Sequence, residues 1–438
     1  MNVSVVGTGY VGLVTGSCLS DFGLNVICVD VDREKIDNLK KGIIPIYESG
    51  LKDLVERNLH YKRLEFTTDF KYAVENSEVI FIAVGTPPDS DGSADLRYVF
   101  EVAQSIGKYI NGYKVIVTKS TVPIGTGRKV QQQILEELRK RGADYEFDIV
   151  SNPEFLRQGS AVYDSTHPDR VIIGAESDKA VGIMKDVYRV LYLNETPFVV
   201  TNIETAEMIK YAANTFLATK ITFINEIANL CEKVGANVQH VAKAMGMDGR
   251  IGSKFLHPGP GFGGSCFPKD TLALSKMGQQ FGSPVTLVEQ VVEVNHNQRL
   301  KMVEKIREAM GDLQGKVIGI LGLTFKPDTN DMREAPSIAI IEELAKRGAR
   351  IKAFDPEGMA EAKKNLSHVD VIEYCSDEYE VPDGANALVI ITEWRQFRKL
   401  NLHKIKLALK EPYFFDLRNI YKREEVERED LKYYGVGV

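Results

Sequence analysis

Val3-Ser4-Val5-Val6-Gly7-Thr8-Gly9-Tyr10-Val11-Gly12 decides the fold of this 438-residue chain. Four residues of apolar strand run straight into a G-x-G-x-x-G turn. Leu13 to Phe22 reads as a helix, and Asn25 to Val29 as a second strand that ends on Asp30. Strand, glycines, helix, strand and terminal acid form the dinucleotide fingerprint in the context it requires. Gly7 makes the turn, Gly9 admits a pyrophosphate and Gly12 lets helix and strand pack closely. The diphosphate then rests on the helix N-terminus, flanked by Tyr10 and Val11. Asp30 is placed to bind ribose hydroxyls, and an acid there disfavours a 2′-phosphate, so the expected cofactor is NAD. Lys35 stands close enough to reach the adenosine end.

Further apolar runs follow at Glu78–Val84, Lys114–Val117, Phe147–Val150, Arg170–Gly174 and Phe198–Val200. Short runs separated by helical patterns predict a doubly wound parallel sheet over 1–200. Ligands on such sheets sit beyond the carboxyl ends of the strands. Three polar sequences fall there: Gly85-Thr86-Pro87-Pro88, Lys119-Ser120-Thr121-Val122-Pro123 and Ser151-Asn152-Pro153-Glu154-Phe155. Residues 201–300 are predicted to be mainly helical, with Lys210 and Asn214 four apart on one helical face. Residues 301–438 restart the alternation with a second strand-to-glycine turn at Lys316–Gly322. Its glycine pattern is degenerate, which points to a nucleotide other than a second NAD. Phe325-Lys326 and Leu417-Arg418 add cations suited to a pyrophosphate.

Between the two long helical patterns lies Gly259-Pro260-Gly261-Phe262-Gly263-Gly264-Ser265-Cys266-Phe267-Pro268-Lys269-Asp270. Four glycines before one thiol suggest a tight turn facing a substrate. A helix starting near Phe267 puts Cys266 at its N-terminus, where amide dipoles favour thiolate. Asp270 lies about one turn further on, able to hold a water or accept a proton.

Composition fits an enzyme of two or three domains: 44% hydrophobic, 26% charged, net charge −6. That balance argues against general nucleic-acid binding. No apolar run approaches the roughly 18 residues of a membrane span, and the chain enters its first strand at once, with no signal peptide expected. Five scattered cysteines suit a reducing cytoplasm rather than a disulfide framework, and the seven histidines form no metal pattern.

GTGYVG, SNPEF, GFGGSCFPKD and FKPDTNDMREAPS, in that order, resemble the nucleotide-sugar 6-dehydrogenases of the UDP-glucose/GDP-mannose dehydrogenase family over essentially the whole chain. The likeness is closest to members acting on UDP-glucose. It implies two Rossmann-like domains joined by a helical dimerisation segment, hence a homodimer or larger homo-oligomer. It also implies four-electron oxidation of a primary alcohol to a carboxylate, UDP-glucose to UDP-glucuronate, with two NAD. Cys266 would capture the intermediate aldehyde as a thiohemiacetal and then a thioester. The resemblance gives Lys210 the oxyanions, Asn214 a water or the sugar, Thr121 and Asp270 a water used in proton transfer, and Glu154 thioester hydrolysis. Glu154, Phe155, Leu156, Lys210, Asn214, Phe255, Gly263, Phe267, Lys326 and Arg418 would surround the UDP-sugar, with Arg250 reaching in from a partner subunit. Thr86, Thr121 and Arg333 would contact NAD. A second acid usual after SNPE in the family is Gln158 here, which removes that charge. Ser265 stands where dehydrogenases of N-acetylated UDP-sugars typically carry histidine. A GDP-mannose dehydrogenase stays open as an alternative, as do a one-step hydroxyacid-type dehydrogenase with a merely packed Cys266 and a non-catalytic NAD sensor.

Overall fold

The computed structural model describes residues 1–438. They form two compact units, Met1–Ala213 and Asn214–Val438. In the first, eight strands make one sheet: β1 (Asn2–Val6), β2 (Asn25–Val29), β3 (Leu64–Thr67), β4 (Val79–Ile82), β5 (Lys114–Thr118), β6 (Phe147–Ser151), β7 (Val171–Gly174) and β8 (Phe198–Thr201). Their order is β3-β2-β1-β4-β5-β6-β7-β8. Neighbours from β3 through β6 are parallel, and β7 pairs with β8 in parallel, but β7 meets β6 antiparallel through Ser151 and Gly174. The expected parallel sheet thus carries a reversed β7–β8 pair at one edge. Strand residues alternate between two cores, one per face: Val3, Val5, Phe81 and Val117 pack on one side, Val6, Ile80, Ile82 and Ile116 on the other. Covering both faces with helices is what turns these strands into nearly continuous apolar runs.

The second unit holds six parallel strands: β9 (Val317–Leu321), β10 (Arg350–Phe354), β11 (Ile372–Tyr374), β12 (Ala387–Ile390), β13 (Tyr413–Asp416) and β14 (Lys432–Tyr434), in the order β11-β10-β9-β12-β13-β14. Here too the order reverses beside the first strand, leaving a crevice at its carboxyl end. Ahead of the sheet come the helices Phe267–Gln280 and Thr286–Met310.

One helix, Ile203–Val234, runs through 32 residues and belongs to both units. It contains no glycine or proline, and alanines and leucines support its length. Glu207 anchors its early part: the carboxylate accepts from Gly125 N–H (2.6 Å) and Gly127 N–H (2.8 Å), capping the helix Thr126–Lys140. No helix is long and apolar enough to cross a membrane.

Candidate active site

The first glycine turn is built for close approach. Gly7 takes φ +96°, and a Cβ on Gly12 would lie 1.9 Å from the Gly7 carbonyl oxygen, so helix and strand meet without side chains between them. A Cβ on Gly9 would meet nothing within 4 Å. The glycine there is not required by packing, which leaves an open approach to the N-terminus of the helix Tyr10–Asp21. Asp30 accepts from the Thr8 amide (2.8 Å) and hydroxyl (2.7 Å) and pairs with Lys35 (3.0 Å). Burial pushes the Asp30 carboxyl up, but Thr8, the Asp32 amide and Lys35 together bring it below its ordinary value. It is therefore an anion oriented by the turn, with its side chain still 10% exposed. These residues fit the adenosine diphosphate half of a dinucleotide. The Tyr10 hydroxyl is turned to Glu48, which also holds the Gly159 and Ala161 amides, so this ring ties the turn to the loop beyond Glu154.

The matching acid in the second unit, Asp355, is fully buried. One of its oxygens accepts from Leu323 N–H, Thr324 N–H and Trp394 Nε1, and the other from Glu357 N–H and Gly358 N–H. With both oxygens consumed inside the protein, none is left for a ribose. That is the physical difference between the two Rossmann-like turns.

The three strand-end loops of the first sheet are bonded together. The buried Thr86 hydroxyl donates to the Thr121 carbonyl (2.9 Å), and the Lys119 ammonium donates to Asn152 Oδ1 (3.0 Å). Glu154 lies buried beyond Asn152. Lys210 Nζ reaches its backbone oxygen at 2.6 Å and its carboxylate at 3.1 Å, with side chains only 4% and 7% exposed. Burial alone would raise the Glu154 carboxyl. The Lys210 charge, the Leu156 N–H and Lys119 outweigh it and hold the group below its ordinary value of 4.5. Two cations stand over the Phe155 ring, with Arg170 3.8 Å and Lys210 5.2 Å from its centre.

One turn after Lys210 on the same helix, Asn214 Nδ2 donates to Asp270 Oδ2 at 2.6 Å, while Lys269 Nζ takes the other oxygen at 2.6 Å. Asp270 is completely buried. Cys266 is the N-cap residue of the helix Phe267–Gln280, as its sequence implied, and Pro268 stands in the first turn. Among the five cysteines it alone is half-buried rather than buried. Burial pushes Cys18 and Cys28 up to about 12 and Cys375 up to about 11, which marks them as core thiols. Arg333 is held in its charged form first by Asp331, and Cys266 lies near enough to add to that field.

The glycines ahead of Cys266 are also closely packed against protein. A Cβ on Gly263 would sit 2.2 Å from the Glu334 carbonyl oxygen, and one on Gly264 (φ +86°) 2.7 Å from the Phe325 ring. Gly264 N–H donates to the Arg333 carbonyl (2.8 Å). The lack of side chains lets the segment Phe325–Glu334 lie directly on the thiol loop. From the other side the loop hangs on the helix Thr286–Met310: Asn295 exchanges hydrogen bonds with Phe262 N–H and carbonyl, Gln298 donates to the Gly259 carbonyl, and Arg299 to those of Phe262 and Glu334. These supports were not foreseen, although Asn295, Gln298 and Arg299 form a polar patch at i, i+3 and i+4.

Phe255, at φ +66°, meets Phe267 edge-on with ring centres 6.1 Å apart, and Phe262 meets Phe267 at 5.9 Å. A non-glycine residue held there stores strain of the kind found at ligand clamps. Arg418 donates to the Ile391 carbonyl (2.7 Å), pairs with Glu393 (3.0 Å) and approaches Gly259, while Lys326 lies by the Phe325 ring. Arg250 stands apart from this group, exposed and paired with Asp248.

Residues 1–192, 204–297 and 319–423 match respectively the NAD binding, central and UDP binding domains of the UDP-glucose/GDP-mannose dehydrogenase family. The chain is 53% identical over 441 residues to a UDP-glucose 6-dehydrogenase of Rhizobium meliloti (strain 1021), covering 100% of this chain and 99% of that protein. It is 48% identical to the UDP-glucose 6-dehydrogenase TuaD of Bacillus subtilis (strain 168), covering 99% and 93%. The structure of a UDP-glucose dehydrogenase from Pyrobaculum islandicum superimposes with a TM-score of 0.92 at 37% identity, covering 100% and 97%. Thiol at a helix N-cap, buried acid–amide pair, open dinucleotide turn and matched domains lead to one conclusion: the chain belongs to the UDP-glucose/GDP-mannose dehydrogenase family.

Proposed function

We propose that this chain oxidises UDP-glucose to UDP-glucuronate through an acyl group carried on Cys266. The observation that carries the reading is the thiol placed at the N-cap of Phe267–Gln280, one turn from a buried Asp270 that Asn214 and Lys269 hold in place. NAD, when bound, supplies a hydride acceptor, and two are used for each sugar.

The residues then divide the remaining work. Gly7, Gly9, Gly12 and Asp30 hold the dinucleotide at its diphosphate and ribose, while Thr86, Thr121 and Arg333 face its nicotinamide half. Asp270 and Thr121 hold a water that takes the proton of the C6 hydroxyl. Cys266 sulfur adds to the aldehyde carbon, giving a thiohemiacetal whose oxygen Lys210 stabilises as it becomes anionic. After the second hydride has left, the carbon is a thioester. Water adds to it, Glu154 accepts the water's proton, the C–S bond breaks and the thiol is regenerated. Phe255, Gly263, Phe267, Lys326 and Arg418 position the UDP-sugar, and the charged Arg418 and Lys326 suit its diphosphate.

The substrate assignment follows the relatives at 53% and 48% identity, whose names specify UDP-glucose. The test is a purified-enzyme assay on UDP-glucose and GDP-mannose, counting NADH per sugar consumed. Two NADH per UDP-glucose and at least about tenfold slower turnover of GDP-mannose are expected. One NADH per sugar would return the reading to a single-step dehydrogenase.

The working form is a homodimer. Phe216, Phe223, Leu230 and Val234 are exposed and fall on one stripe of the long helix, at spacings of seven, seven and four. A stripe of that period suits a second copy of itself. Arg250 is exposed and paired with Asp248, and would turn from that partner to serve a neighbouring subunit's substrate. Light scattering is expected to return twice the chain mass, and a monomer at micromolar concentration would refute the dimer. Five scattered cysteines and a net charge of −6 suit a cytoplasmic enzyme that does not bind nucleic acid.

A further inference from the structure

We propose that Lys119 is a positioning residue for the hydrolytic half of the reaction, keeping Glu154 ionised and tying the Thr121 loop to the Glu154 loop from within. The inference rests on the role given above to Glu154.

Lys119 follows β5 and stands two residues before Thr121, yet its side chain turns inward. Its ammonium donates to Asn152 Oδ1 (3.0 Å) and to the Tyr188 hydroxyl (3.2 Å). Tyr188 in turn donates to the same Asn152 oxygen (2.6 Å), and Asn152 Nδ2 donates to the Ile172 carbonyl (2.7 Å). Lys119, Asn152 and Tyr188 are all buried, at 8%, 1% and 7% exposure. Every bond the ammonium makes here is to a neutral oxygen, so hydrogen bonding alone does not account for a cation. A methionine would fill the same space without the desolvation cost, and Tyr188 would still satisfy Asn152.

The charge has one anionic neighbour to act on. Glu154 lies two residues beyond Asn152, and the charged groups about it are Lys210 and Lys119. Lys119 faces Glu154, Lys210 and the Tyr188 hydroxyl. Burial lowers the Lys119 ammonium to about 8, with Glu154 favouring its charge and Lys210 opposing it. At neutral pH the cation still dominates. Lys210 pairs with the buried carboxylate directly and Lys119, held through Asn152, adds a smaller share, so removing Lys119 lets burial draw the carboxyl part of the way up.

The experiment compares wild type, Lys119→Met and Glu154→Gln, each as full-length enzyme with UDP-glucose and NAD. It reads the hydrolysis rate from about pH 3.5 to 9 and the fraction of Cys266 carrying an acyl group after acid quench. Glu154→Gln is expected to accumulate acyl-enzyme. Lys119→Met is expected to keep its KM for NAD within about twofold, to hydrolyse within about twofold of wild type at pH 7, and to show its acid limb up to about one pH unit higher, so that the loss grows toward tenfold as pH falls. An unmoved limb in Lys119→Met overturns this inference and leaves the role of Glu154 standing. Absence of acyl-enzyme in Glu154→Gln removes that role and this inference with it. If Lys119→Met does not fold, Tyr188→Phe decides, because it strips an acceptor from the ammonium. A smaller upward move of the limb supports the proposal, and no move overturns it.

Discussion

Cys266→Ala is expected to fold, bind NAD and UDP-glucose, and form UDP-glucuronate at least about a thousandfold more slowly than wild type. The size follows from the sulfur having no substitute. Ser265, its neighbour, approaches the sulfur at 3.6 Å but does not hold the N-cap place. Removing a half-buried sulfur costs little packing, so the thermal midpoint should shift by only a few degrees, about 1 kcal/mol or less. Product assay by anion exchange checks the first statement and a melting curve the second. Acid formation within tenfold of wild type would remove covalent capture from the mechanism.

Lys210→Met is expected to damage stability as well as catalysis, because it strands a buried carboxylate. Breaking a buried ion pair on one side costs about 3–5 kcal/mol, and Lys210 and Glu154 are 4% and 7% exposed. The pH dependence gives a sharper reading than the loss itself. In wild type the Glu154 carboxyl is depressed below 4.5, so its contribution is present above that pH and is lost as pH falls through its lower folded value. In Lys210→Met, burial becomes the larger influence and the carboxyl rises above its unfolded value. The folded state then binds the extra proton, and stability falls as pH rises from 5 to 7. The loss of melting temperature caused by Lys210→Met should therefore be larger at pH 7 than at pH 5. A loss that is the same at both pH values would show that Lys210 does not hold the Glu154 charge.

What could be read from the chain alone was local. The strand, glycines and acid of Val3–Asp30 lie within one βαβ unit, and Cys266 reaches its N-cap through the Phe267-Pro268 start of its own helix. The short strands β3, β11 and β14 escaped notice because three or four residues with mixed exposure carry little periodicity. The reversal of β7 escaped for another reason: apolar runs carry no direction. Glycines 259–264 were read as room for a ligand, and only the fold reveals Phe325 and Glu334 lying against them. Lys119 was quoted as part of a polar turn. Its partners Asn152 and Tyr188 are 33 and 69 residues away, and a bond of that span is invisible until the sheet brings them together.

The most direct test of the mechanism is the mass of the peptide containing Cys266, taken from Glu154→Gln enzyme quenched in acid during turnover with UDP-glucose and excess NAD. The account predicts a UDP-glucuronyl group on that sulfur, at the oxidation level of a thioester. An unmodified Cys266 in enzyme that has already released two NADH per site would contradict it.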